Sequence, residues 1–277
     1  MGLRAPKSGA LSQTAMPNPD LPPEILDYIV DILCDKPKAL QKCCLAAKSW
    51  VPRARKHLFA EIDFCSLEHL EAWKKTFPDP SKSPAYHTHT LSVYRPYTVA
   101  SADSGGGGWI QTFSRVTRLN VGENIRDTTH PKASLDPFRR FSPVLKSLHV
   151  SSIWLSNSQI FDLVSSLPLL EDLSLTTCGT ENDGLNVGGP PTTIKPSISP
   201  VFTGTLELTP LREIKHTVRW LLDLPNGLRF RKLRLSWARE GHLLWINALV
   251  KGCSDTLECL DVTCHVLGAT VRPLRWN

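Results

Sequence analysis

Three groups of residues could do chemistry. Residues 105–108 are four consecutive glycines, and glycine-rich loops can cradle phosphate with backbone N–H groups. Such a loop needs Gly-Lys-Ser/Thr opening a helix, whereas Trp109 and Ile110 follow here. His87 and His89 lie two apart, and Cys264 adjoins His265. Neither pair has metal-finger spacing and there is no C-x-x-C, so both read as surface or core residues. Serine, histidine and aspartate are plentiful, but no G-x-S-x-G elbow is present and no spacing selects a triad. The expectation is a protein that is not an enzyme, with no cofactor and no metal. What it does must then be binding.

The elements that present the binding residues come next. A chain of 277 residues can bury a full core, and its 41% apolar and 21% charged content are ordinary for a globular protein. Net charge is +6, and residues 1–60 hold nine Lys/Arg against five Asp/Glu. Lys48, Arg53, Arg55, Lys56 and His57 form a basic cluster with no interleaved aromatic residue to stack on bases. It reads as a solvated helix face rather than a nucleic-acid site. No secretory signal precedes the eight cysteines, so they read as reduced, small hydrophobes of a cytoplasmic or nuclear protein. No apolar run approaches the roughly 18 residues a membrane span needs.

Residues 1–19 carry few large apolar side chains and read as a disordered leader. Residues 20–60 follow as a helical domain with three helices. Pro22 and Pro23 open the first, Asp35 and Pro37 divide it from the second, and Ser49 and Pro52 mark the third. On a wheel of about 100° per residue, Ile25, Leu26, Tyr28, Ile29, Val30, Ile32 and Leu33 cover an arc of roughly 200°. An ordinary amphipathic helix needs little more than about 100°. The second helix is also apolar over most of its surface. About forty residues cannot bury both by themselves. Trp50 lies about one turn from Ala46 and Ala47 and is expected in the core.

This stretch resembles an F-box. The family opens with Leu-Pro and Glu-Ile-Leu, continues with a spaced Ile and Leu and with Leu and Cys on the second helix, and ends in Lys-x-Trp. Those places hold Leu21, Pro22, Glu24, Ile25, Leu26, Ile29, Leu33, Leu40, Cys44, Lys48 and Trp50. Ala47 departs from the pattern, where a Cys commonly precedes the Lys. The resemblance implies a eukaryotic receptor subunit of an SCF-type (cullin-RING) ubiquitin ligase. An adaptor protein, and through it a cullin, would dock on Leu21, Pro22, Glu24, Ile25, Leu26, Ile29, Leu33, Leu40 and Cys44. The role would be ubiquitin-dependent degradation of an unidentified protein target, with no nucleic acid or membrane partner. The alternative is a free-standing repeat scaffold with no ligase role.

From residue 61 a small motif recurs: an apolar residue, two positions, Leu, one position, then Leu or Val. Examples are Val116-x-x-Leu119-x-Val121, Leu145-x-x-Leu148-x-Val150 and Phe230-x-x-Leu233-x-Leu235. Its central residues, Ile62, Leu91, Leu119, Leu148, Leu173, Leu206, Leu233 and Leu260, are 29, 28, 29, 25, 33, 27 and 27 residues apart. Leucine-rich repeats run at about 20–29 residues. Helical spacing in the intervening segments, as at Ile160, Leu163, Val164 and Leu167, adds a helix to several strands. The expected class is α/β, a parallel sheet with outer helices over residues 61–277. This resembles an irregular leucine-rich-repeat solenoid, although the usual Asn or Cys after the central Leu is largely absent. A compact α/β sheet is the structural alternative. Residues 101–108 and 179–203 read as loops.

Side chains alternate across a strand. With the repeat Leu and Val positions facing the helices, Ser92, Asn120, His149, Ser174, Glu207, Arg234 and Asp261 share the opposite face. That row reads either as a solvated sheet face or as the target-binding surface, and the latter is the expectation carried forward, with Arg118, Asp172 and Lys232 flanking it.

Overall fold

The structure is a computed structural model describing residues 22–94, 109–122, 135–151, 157–176, 200–209, 214–237, 240–266, 269–270 and 274–276. The expected leader, Leu21, the loop at 101–108 and residues 179–199 of the second loop lie outside the described residues. The chain divides into two compact units, with the break between Arg55 and Lys56.

In the first unit, Pro23 and Pro37 stand at helix starts, where a missing N–H leaves no bond unmade. They open α1 (Pro23–Ile32) and α2 (Pro37–Ala46). The carbonyl of Pro22 accepts the N–H of Ile25 at 3.0 Å and of Leu26 at 3.2 Å. A 3₁₀ turn over Lys48–Trp50 follows, then α3 (Val51–Leu58). Val30, Leu40, Cys43 and Ala54 are buried and form the unit's interior. The guanidinium of Arg53 on α3 donates Nε–H to Asp31 Oδ1 of α1 at 2.7 Å and pairs with the second carboxylate oxygen as well. Such two-point pairing fixes direction as well as distance. Trp50 is a correction to the expected core position: it is half-buried in the 3₁₀ turn that follows α2.

The second unit is an α/β fold built on eight parallel strands in chain order. They are β1 (Glu61–Phe64), β2 (Thr90–Tyr94), β3 (Arg118–Gly122), β4 (Ser147–Ser151), β5 (Asp172–Thr176), β6 (Thr205–Thr209), β7 (Lys232–Trp237) and β8 (Cys259–Val266). Two short strands, β9 (Ala269–Thr270) and β10 (Leu274–Trp276), pair antiparallel with β8. Connections carry α4 (Leu67–Thr76), α5 (Asn157–Ser165), α6 (Ile214–Leu222) and α7 (Leu243–Gly252). Ser66 caps α4 by accepting the N–H of His69, and Pro78 follows its end.

The Leu repeat is the register of the sheet. Ile62, Leu91, Leu119, Leu148, Leu173, Leu206, Leu233 and Leu260 are direct neighbours from strand to strand. So are Phe64, Val93, Val121, Val150, Leu175, Leu208, Leu235 and Val262. Both rows are buried from β1 to β7 and share one cluster with Leu70, Leu163, Val218, Leu221 and Leu249 of the helices. The helices therefore cover one face of the sheet, and the residues between the two buried rows lie on the other. The described parts of the β2–β3 and β3–β4 connections hold 3₁₀ turns, over Trp109–Thr112 and Asp136–Phe141, rather than α-helices. Buried Phe113, Phe138 and Phe141 fill the core there.

A repeated backbone device joins the strands at their starts. The carbonyl of the residue before one strand accepts two N–H groups from the start of the next. Ala60 takes His89 and Thr90, His89 takes Thr117 and Arg118, Thr117 takes Lys146 and Ser147, and Lys146 takes Glu171 and Asp172. Gly204 takes Arg231 and Lys232, and Arg231 takes Glu258 and Cys259. Between β5 and β6 the pattern changes. Glu171 still accepts Gly204, but the N–H of Thr205 turns to Asp172 Oδ1 at 2.6 Å. A Cβ on Gly204 would collide with that carboxylate, so glycine is needed for close approach. This junction carries the 33-residue spacing.

Candidate binding surfaces

The apolar arc of α1 splits into two stripes. Leu26, Ile29, Val30 and Leu33 follow i, i+3, i+4, i+7 spacing and turn inward, with Val30 fully buried and the others half-buried. Ile25, Tyr28 and Ile32 form the second stripe and are 46%, 64% and 59% exposed. On α2, Leu45 is also exposed. One helix thus fills its own unit's core and keeps a second apolar stripe in solvent.

The residues expected to meet an adaptor divide accordingly. Pro22, Glu24 and Ile25 are exposed; Leu26, Ile29, Leu33 and Cys44 are half-buried. Leu40 is the correction. It is fully buried, so it holds the helical unit together and offers no surface to a partner. Tyr28, Ile32 and Leu45 are prominent residues that the motif positions do not include. Their place in the apolar arc and on the apolar second helix was the available signal.

The open face of the sheet carries the expected row in one continuous register. It runs Asp63, Ser92, Asn120, His149, Ser174, Glu207, Arg234, Asp261. Ser92 is a correction, because it is buried and offers no surface to a target. Neighbours along it bond across the strands. Asn120 Nδ2 donates to Ser92 Oγ at 3.1 Å, His149 Nδ1 lies 2.7 Å from Ser174 Oγ, and Ser174 Oγ donates to Glu207 Oε2 at 3.1 Å. A hydroxyl has one proton and a carboxylate only accepts. The Ser174 proton therefore goes to Glu207, and His149 must donate from Nδ1. In the neutral ring this leaves Nε2 as an acceptor.

Burial holds the His149 imidazole below its usual value, while the negative charge of Glu207 pulls it up. Desolvation is the larger effect, which keeps the ring neutral near pH 7. The order His–Ser–Glu differs from an acyl-transfer triad, in which the imidazole stands between serine and acid. Three side chains on three strands are thereby held in fixed orientation.

The flanking positions do not behave alike. Arg118 is exposed and Lys232 half-buried on this face. Asp172 is a correction, because its Oδ1 is engaged by the N–H of Thr205 and secures the start of β6. On the other side runs a row of small hydroxyl residues, Ser151, Thr176, Thr209, Ser236 and Thr263, in sequence positions two beyond the polar row. At its N-terminal end the Tyr94 ring lies against Gly122, where a Cβ would stand 3.1 Å from the ring.

Among the described residues no group of three His, Cys, Asp or Glu side chains could hold a metal ion. No helix among them is long and apolar enough to cross a membrane. Compared with known proteins, the chain matches no family model, no curated protein and no solved structure.

Proposed function

We propose that the chain is a non-catalytic receptor subunit of an SCF-type ubiquitin ligase. Residues 20–60 act as an F-box-like module that docks the adaptor, and through it a cullin. Residues 61–277 act as an irregular leucine-rich-repeat-like domain that holds a target protein on its open face. The chain then works in the cytoplasm or nucleus and positions a target without performing chemistry on it.

The observation that carries the reading is the outward stripe Ile25, Tyr28 and Ile32. Full burial of a large apolar side chain is worth about 1.5–3 kcal/mol, and these partly exposed residues leave a share of that unrealised. The motif residues Leu21, Pro22 and Glu24 lead into that stripe. For the target surface, support comes from the polar row Asn120, His149, Ser174, Glu207, Arg234 and Asp261, whose members from Asn120 to Glu207 are oriented by cross-strand bonds.

Affinity purification of the full chain from eukaryotic cells tests this. Adaptor and cullin are expected to co-purify. Leu21→Ala combined with Pro22→Ala should reduce their yield while leaving the sheet folded, each lost apolar contact costing about 1–3 kcal/mol. A scaffold without a ligase role would retain its other partners and bring down neither.

A further inference from the structure

The open face places two cations on one strand, and among the described residues neither has a direct ion-pair partner. Lys232 and Arg234 are two residues apart on β7, hence on the same face and about 6.5 Å apart along the strand. Register sets Arg234 between Glu207 on β6 and Asp261 on β8. Among the described residues, none of the ion pairs involves Lys232 or Arg234. The Glu207 carboxylate accounts for this on one side. It accepts the Ser174 hydroxyl at 3.1 Å and so leans toward β5, away from β7. Arg234 is exposed, and among the described residues none takes any of its five N–H donors.

The geometry points to Arg234, assisted by Lys232, as the position that receives one acidic side chain, Asp or Glu, from a segment of the target protein. This rests on the reading of the open face as the target surface. Local charge selects a carboxylate over a phosphate. The two cations of β7 are balanced by Glu207 and Asp261, one strand spacing of about 4.8 Å to either side. A single negative charge gains a bidentate guanidinium contact there. A phosphate dianion brings a second negative charge next to strands that already carry Glu207 and Asp261, with no third cation on β7 to offset it, so it is the less favourable guest. Thr209, Ser236 and Thr263 stand beside the cations and are too small to keep an approaching backbone away.

Short linear peptides displayed as a random library and selected against the immobilised full chain test the assignment. A parallel selection uses the full chain carrying Arg234→Glu, with thermal unfolding to verify that the variant is folded. Peptides selected on the native chain are expected to be enriched in Asp and Glu, and to bind the variant about tenfold or more weakly. The variant should select Lys and Arg instead. Replacing the selected acid with phosphoserine should weaken binding. Absence of acidic enrichment, equal binding to both chains, or tighter binding of the phosphoserine peptides would overturn the assignment. Peptides that lose binding in Glu207→Lys but keep it in Arg234→Glu would leave the open face as a target surface and remove Arg234 from that role. Peptides indifferent to both changes remove the target surface as well.

Discussion

The carboxylate of Asp172 accepts the backbone N–H of Thr205 at 2.6 Å, the one described strand start at which a side chain replaces the repeating backbone carbonyl. Gly204 lies against the same carboxylate. Asp172→Ala leaves a half-buried N–H without its acceptor, and Gly204→Ala forces the carboxylate away. Each should cost about 1–2 kcal/mol in denaturant unfolding. Both act on one contact, so the double variant should cost clearly less than the two added together. Full additivity would mean that Gly204 matters for another reason.

The alternation of the strands makes a sharp contrast between neighbours. Leu173 is buried, whereas Ser174 beside it faces outward. Leu173→Ala should destabilise the sheet unit by about 2–5 kcal/mol. Ser174→Ala removes one hydroxyl bridge and should cost about 0.5–1.5 kcal/mol. Equilibrium unfolding of the two variants checks the ordering, and a reversal would place the register one residue out.

His149 gives the sheet unit a pH dependence of known sign. Its folded value lies below the ordinary 6.5 because burial disfavours the charged ring. Protonation therefore favours the unfolded chain. The His149 contribution is constant above the unfolded value and is lost as pH falls below about 6.5 toward the folded value. Denaturant unfolding at pH 7.5 and at successively lower pH should show a slope in this window that His149→Gln removes. An unchanged slope in the variant would assign it to other groups.

The cysteines should separate by reactivity. Burial pushes the Cys253 thiol up to about 11, and only the thiolate is a good nucleophile. Cys34 and Cys65 are exposed. Among the described cysteines, mass-resolved alkylation of the native chain near neutral pH should label Cys34 and Cys65 first and Cys253 only on unfolding. Early labelling of Cys253 would show that α7 opens readily from the sheet.

Much of the sheet was legible in the sequence because its cause is local. Leu or Val at every second position, recurring at near-constant intervals, produces strands whose equivalent residues become neighbours. Pro23, Pro37 and Ser66 likewise mark helix starts through their own backbone chemistry. Leu40 shows the first limit: the apolar positions of a short helix do not say which stripe turns inward. That depends on where Val30, Cys43 and Ala54 come to lie. Asp172 shows the second. Its acceptor role joins residues 33 apart and arises only at the altered β5–β6 junction. The polar row was foreseeable from alternation, whereas Ser174 bridging His149 and Glu207 depends on rotamers that no spacing encodes.

Direct binding of the purified full chain to purified SCF adaptor, measured by calorimetry, tests the central claim most closely. The native chain should bind, and replacing the outward stripe with Ile25→Asp and Ile32→Asp should abolish the heat of binding while the melting of the sheet unit is unchanged. Absence of binding by the native chain, or equal binding by the stripe variant, would contradict the account.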